Sequence, residues 1–191
     1  MRKLHFFFAF AALVCLGVLA GCSITTHDKG NGKKDDVDIR TPFGSLSVHE
    51  GQTDVKNTGL NLYPGARARK DSDDESHSAN VNISSSLFGV KVVAMNFESD
   101  DAPDKVLAFY RKDMGKYGKV LDCTGGFTLS FHHHDKDDPV TCGADDSGHG
   151  YKEELKVGTE NNQRIMAIKP ADKGSVFTLV YVRAWESKDT M

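Results

Sequence analysis

Basic charge is not in excess in this chain: 24 lysines and arginines stand against 27 aspartates and glutamates, for a net charge of −3. Binding to nucleic acid rests on basic patches that neutralise phosphate, so this balance argues against it. An uninterrupted apolar run of the roughly 20 residues that cross a bilayer is also missing. So is self-similarity at the periods of solenoids and propellers. Catalytic signatures are absent as well. There is no Gly-x-Ser-x-Gly, no His-Glu-x-x-His and no Cys-x-x-Cys, and nothing nominates a nucleophile beside an oriented base. Gly125-Gly126 is too brief to cradle a phosphate. The acidic runs Asp71 to Glu75 and Asp135 to Asp138 lack the glycine and closing glutamate of a calcium loop. An enzyme is therefore the less favoured class.

What is present starts at the N-terminus. Arg2 and Lys3 precede an apolar stretch from Leu4 to Leu19, which ends at the small residues Ala20 and Gly21 before Cys22. Charge, short apolar core and small-residue cleavage site form the layout of a secretory signal. Leu19-Ala20-Gly21-Cys22 also resembles the lipobox of bacterial lipoproteins. The resemblance implies that residues 1–21 are removed and that Cys22 becomes the first residue, its thiol diacylglycerylated and its new amino group acylated. Several acyl chains on one residue give stable attachment to a lipid bilayer, since each buried methylene contributes about 0.8 kcal/mol. Ser23 stands where inner-membrane members of the class often carry aspartate. This implies a lipoprotein of the cell envelope, in the outer membrane and facing the periplasm.

Removing Arg2 and Lys3 leaves 22 basic residues against 27 acidic ones, a net charge of −5. The remaining length of about 170 residues suits one domain with its own core. Of the four cysteines, Cys15 leaves with the signal and Cys22 carries lipid. Cys123 and Cys142 are left in an oxidising compartment, where a disulfide is the natural expectation.

Residues 22–36 are polar, charged and glycine-containing, and are expected to form a flexible tether. Residues 37–58 hold two alternating runs, Val37 to Thr41 and Leu46 to Val48, around Pro42-Phe43-Gly44, and so suggest a hairpin followed by a loop. A hairpin alone is marginal in water, so it should dock elsewhere. Residues 59–186 form the main domain and 187–191 a polar tail. Tyr63-Pro64-Gly65 marks a turn, and Arg67 to Ser78 a solvated loop. Asn80 to Ile83, Val90 to Phe97, Val120 to Cys123, Phe127 to Phe131, Glu154 to Val157, Arg164 to Ile168 and Val176 to Ala184 are strand candidates.

One helix is expected after Asp101, the candidate N-cap, with Pro103 in the first turn and Gly118 as the stop. Val106, Leu107, Tyr110, Met114 and Tyr117 fall on one stripe, while Lys105, Arg111, Lys112 and Lys116 face outward. The fold class is therefore α+β: an antiparallel β-sheet with one main amphipathic helix packed on one face. Tyr-Pro-Gly, a strand, and then Ser-Asp-Asp-Ala-Pro-Asp-Lys-Val-Leu-Ala-Phe-Tyr-Arg-Lys also resemble a pattern in uncharacterised secreted bacterial proteins, which lend no activity.

Only one cluster invites metal chemistry. In His132-His133-His134-Asp135, neighbouring side chains of an extended chain point to opposite faces, so His132 and His134 alone share a side. His149, or an aspartate, would supply a third ligand, for zinc or copper. The plainer reading is a solvated polar loop. Taken together, these features favour a lipid-anchored binding or structural module whose partner is an envelope protein, peptidoglycan or a small ligand. Weak transition-metal binding is the alternative, and an envelope enzyme comes third.

Overall fold

A computed structural model describes residues 22–27, 36–50, 54–69, 78–124, 138–142 and 153–186. Among the described residues ten strands form one antiparallel sheet: β1 (Ser23–His27), β2 (Asp36–Thr41), β3 (Gly44–Glu50), β4 (Arg67–Ala68), β5 (Ser78–Ser85), β6 (Phe88–Ser99), β7 (Leu121–Thr124), β8 (Glu153–Thr159), β9 (Asn162–Pro170) and β10 (Ser175–Glu186). Their order is β1-β2-β3-β5-β6-β10-β9-β8-β7, with β4 beside the end of β6. Among the described residues there is one α-helix, α1 (Pro103–Met114), prolonged by a 3-10 turn over Gly115–Tyr117. The fold is thus a sheet-dominated form of the expected α+β class.

Within residues 22–36, expected to be a flexible tether, the described residues at the start depart from that expectation. Ser23–His27 is an edge strand paired with Asp36–Arg40. The hairpin around Pro42-Phe43 forms as expected, and it does not stand apart: β3 pairs along its length with β5 and extends the main sheet. The run beginning at Arg67, expected to be loop, supplies β4 at its start, where Arg67 and Ala68 pair with Glu98 and Phe97. The expected strand at Phe127 to Phe131 and the tail at 187–191 lie outside the described residues.

Helix α1 begins one residue later than the cap expected from sequence. Its N-cap is Ala102, extended and without a side-chain cap bond, with Pro103 at the first helical position. A residue before proline is pushed out of the helical region, so Asp101 falls one position too early. Its carboxylate instead accepts bonds from Lys105 Nζ and Tyr63 Oη, both 2.8 Å. The Lys105 ammonium, then the tyrosine hydroxyl, hold the Asp101 carboxyl below the usual aspartate range. At the other end the Gly118 N–H donates to the Gly115 carbonyl, and its φ of 130° is one that favours glycine.

The helical stripe is buried as the spacing implies, at Val106, Leu107, Tyr110 and Met114. It packs on Val93, Met95, Phe97, Leu155, Val157, Met166, Ile168, Phe177 and Leu179 of the sheet. Alternation along each strand places all of these on one face. Tyr110 is fully enclosed, with its ring 5.5 Å from that of Phe177 and 5.1 Å from that of Phe109. Its hydroxyl accepts the backbone N–H of Tyr63 at 3.2 Å, and burial raises its pKa. Asn61 ties the same segment to the helix, donating from its backbone N–H and its amide to the two oxygens of Asp113. Burial pushes the Asp113 carboxyl up, but the bonds from Asn61 and Lys116 outweigh it and hold it low.

Tyr110→Ala is expected to cost roughly 3–5 kcal/mol, the range for large buried aromatics, and to strip a partner from the Tyr63 amide. Lys112→Ala, on the exposed side of the same helix, should change stability by less than about 0.5 kcal/mol. Denaturant unfolding of both variants checks this; equal losses would mean that the stripe is misassigned.

Candidate functional site: the Cys22 end of the sheet

Cys22 immediately precedes β1 and is an exposed free thiol. The antiparallel register fixes what lies beside it. Ser23 pairs with Arg40, Arg40 with Ser45, Ser45 with Ser84, Ser84 with Gly89 and Gly89 with Trp185. One row beyond stand Cys22, Thr41, Gly44, Ser85 and Phe88, and past them the two hairpin turns, Pro42-Phe43 and Ser86-Leu87. Six strands therefore deliver Cys22, Phe43, Leu87, Phe88 and Trp185 to one end of the sheet.

Local chemistry closes both turns. Thr41 Oγ1 accepts the Phe43 N–H at 3.2 Å and donates to the Gly44 carbonyl at 3.0 Å. Ser85 Oγ accepts the N–H groups of Leu87 (3.2 Å) and Phe88 (3.0 Å) and donates to the Phe88 carbonyl. Ser45 and Ser84 hydroxyls bond across the strands at 2.8 Å. Gly89 lets the Trp185 ring lie across β6, since a Cβ there would collide with the indole. The Arg183 guanidinium sits 5.9 Å from that ring.

The faces of this end have opposite character. Ser23, Arg40, Ser45 and Ser84 share the face on the helix side. Ile24, Ile39, Leu46, Ile83 and Val90 are register partners on the other. The next apolar row, Val37, Val48, Val81, Val92 and Val182, leads into a second buried cluster of Ile165, Val180 and Val182 with Val92 and Ala94. The sequence showed the alternation of each strand; it did not show that these faces join into one.

The other predicted site is only partly in view. Cys123 and Cys142 form the disulfide, with Cα atoms 5.4 Å apart. Its position explains what it does. β7 pairs with one half of the outer edge of β8, and residues 138–142 run along the other half, where the Val140 N–H donates to Gly158 and the Glu160 N–H to Asp138. The bond staples these two edge pieces together. Beneath them Lys156 Nζ lies 3.3 Å from Glu154 Oε1, with both side chains buried, and 3.5 Å from the Thr141 carbonyl. Glu154 and Lys156 are buried although they are charged, as are Leu155 and Val157 on the opposite face of the strand.

His132, His134 and His149, the candidate zinc or copper ligands, lie outside the described residues. Among the described residues no three His, Cys, Asp or Glu side chains converge on one point. Besides Tyr110, Asp101 and Asp113, shifted ionisations occur in exposed pairs such as Arg67 with Asp100 and Arg111 with Asp122. Comparison with known proteins finds no matching family model, no similar curated protein and no similar solved structure.

Alkylation of folded protein without reductant should label neither Cys123 nor Cys142. Replacing both with alanine should cost about 2–4 kcal/mol, the usual contribution of such a loop closure. Ready labelling of both in the folded, oxidised chain would contradict the bond.

Proposed function

We propose that this chain is a lipid-anchored binding or structural module of the cell envelope, held in the outer membrane through an acylated Cys22 and facing the periplasm. The observation that carries the reading is the layout Arg2-Lys3, apolar Leu4 to Leu19, and Leu19-Ala20-Gly21-Cys22. The exposure of the Cys22 thiol is what acylation needs. Because β1 begins at Ser23, a lipid on Cys22 would hold the end of the sheet at the bilayer surface rather than nanometres above it.

Intact mass measurement of detergent-extracted protein is expected to give a chain starting at Cys22 with acyl mass attached. Cys22→Ala should leave an unprocessed chain. An N-terminus elsewhere, without lipid, would sink the proposal.

A further inference from the structure

We infer that the Cys22 end of the sheet inserts into the bilayer surface, with Phe43, Leu87 and Phe88 seated among the acyl chains and Ile24 and Ile83 beside them. This rests on the lipid-anchor reading and adds a second, protein-borne contact to it.

Exposure is the first ground. Among the described residues six large hydrophobic side chains are exposed, and five lie at this end: Phe43 81%, Leu87 74%, Ile24 71%, Phe88 50% and Ile83 39%. Scattered single hydrophobics need no explanation, but a contiguous set marks an interaction site. Turn composition is the second. Two-residue hairpin loops usually carry Asn, Asp or Gly, for conformational reasons that also suit water. Here they read Pro42-Phe43 and Ser86-Leu87, and the side chains project from the tips.

The third ground concerns the polar backbone, which makes a turn costly to place in lipid. The amides of Phe43, Leu87 and Phe88 already have partners in Thr41 Oγ1 and Ser85 Oγ. These turns carry their hydrogen bonds with them. The fourth is amphipathicity. This end has a polar face of Ser23, Arg40, Ser45 and Ser84 and an apolar face of Ile24, Ile39, Leu46, Ile83 and Val90, as an element lying at a bilayer surface requires. Trp185 stands in the adjoining row, and tryptophan favours the headgroup level. Position decides between a membrane and a second copy of the chain. The tips are projecting rather than flat, and Cys22, the residue that would carry lipid, emerges among them.

Trp185 is the only tryptophan and so reports on this end. The full chain, matured in a bacterial host and extracted in detergent, is reconstituted into phosphatidylethanolamine–phosphatidylglycerol vesicles with or without acyl-chain-brominated lipid. Bromine should lower Trp185 emission about twofold, as for an indole at the interface. In the triple variant Phe43→Ser, Leu87→Ser, Phe88→Ser most of that loss should disappear, with acyl mass and thermal midpoint unchanged. Acylated wild type without quenching would overturn the insertion while leaving the anchor standing. Absence of acyl mass would overturn the anchor; quenching by excess brominated vesicles would then still support insertion, and its absence would end it. If the triple variant instead converts a dimer into a monomer and leaves quenching unaltered, the patch is a self-association face and the inference fails.

Discussion

Everything in this fold is referred to one ladder, the antiparallel pairing of β6 with β10, continuous from Ser99–Ser175 to Phe88–Glu186. At one end of it Phe97 and Phe177 pair directly and stack 5.5 Å apart beneath Tyr110. At the other, Gly89 faces Trp185. Each remaining strand is hung on one side or the other of this pair: β9, β8 and β7 next to β10, and β5, β3, β2 and β1 next to β6. Side-chain period along a strand is two, so a slip of one residue in this ladder would move the whole core set to the wrong face.

The ladder also marks where the sheet changes character. On the helix side it is apolar through Val93 and Tyr181, and polar one step further at Lys91 and Arg183. Helix α1 covers the apolar part. The opposite face continues apolar beyond that point, through Val90 and Val92 into the β5-β3-β2-β1 arm. A one-sided sheet of this kind needs an apolar neighbour for that side. The proposed bilayer contact would answer this requirement at the Cys22 end, where the short connection from Cys22 to β1 would bring a lipid on Cys22 close to the apolar tips.

Local signals were readable where local forces decide. The spacing of Val106, Tyr110 and Met114, the β-branched runs at Val90 to Phe97 and Val176 to Ala184, and the Pro42-Phe43 turn each name their own structure. The pairing of Cys123 with Cys142 followed from elimination. Nothing in the polar run from Thr25 marks a strand, and β1 forms through its backbone pairing with β2. Residue type alone favours Asp101 as the N-cap, but Pro103 forces Ala102 out of the helical region and moves the cap there. Burial of Glu154 and Lys156 depends on segments distant in sequence. The motif nominates Cys22 as a lipidation site, whereas nothing in the sequence places Phe43, Leu87 and Phe88 beside it, because only the register of several strands assembles them.

The central claim is that this register runs unbroken from the β6–β10 ladder to Cys22. Amide hydrogen exchange along the acylated chain tests it most directly. The slowest amides should lie in β6 and β10, those of β3 and β5 should follow, and alternate amides of Ser23–His27 should still be protected relative to free peptide, as for an edge strand bonded on one side. Exchange throughout Ser23–His27 at the rate of an unstructured chain would contradict the account.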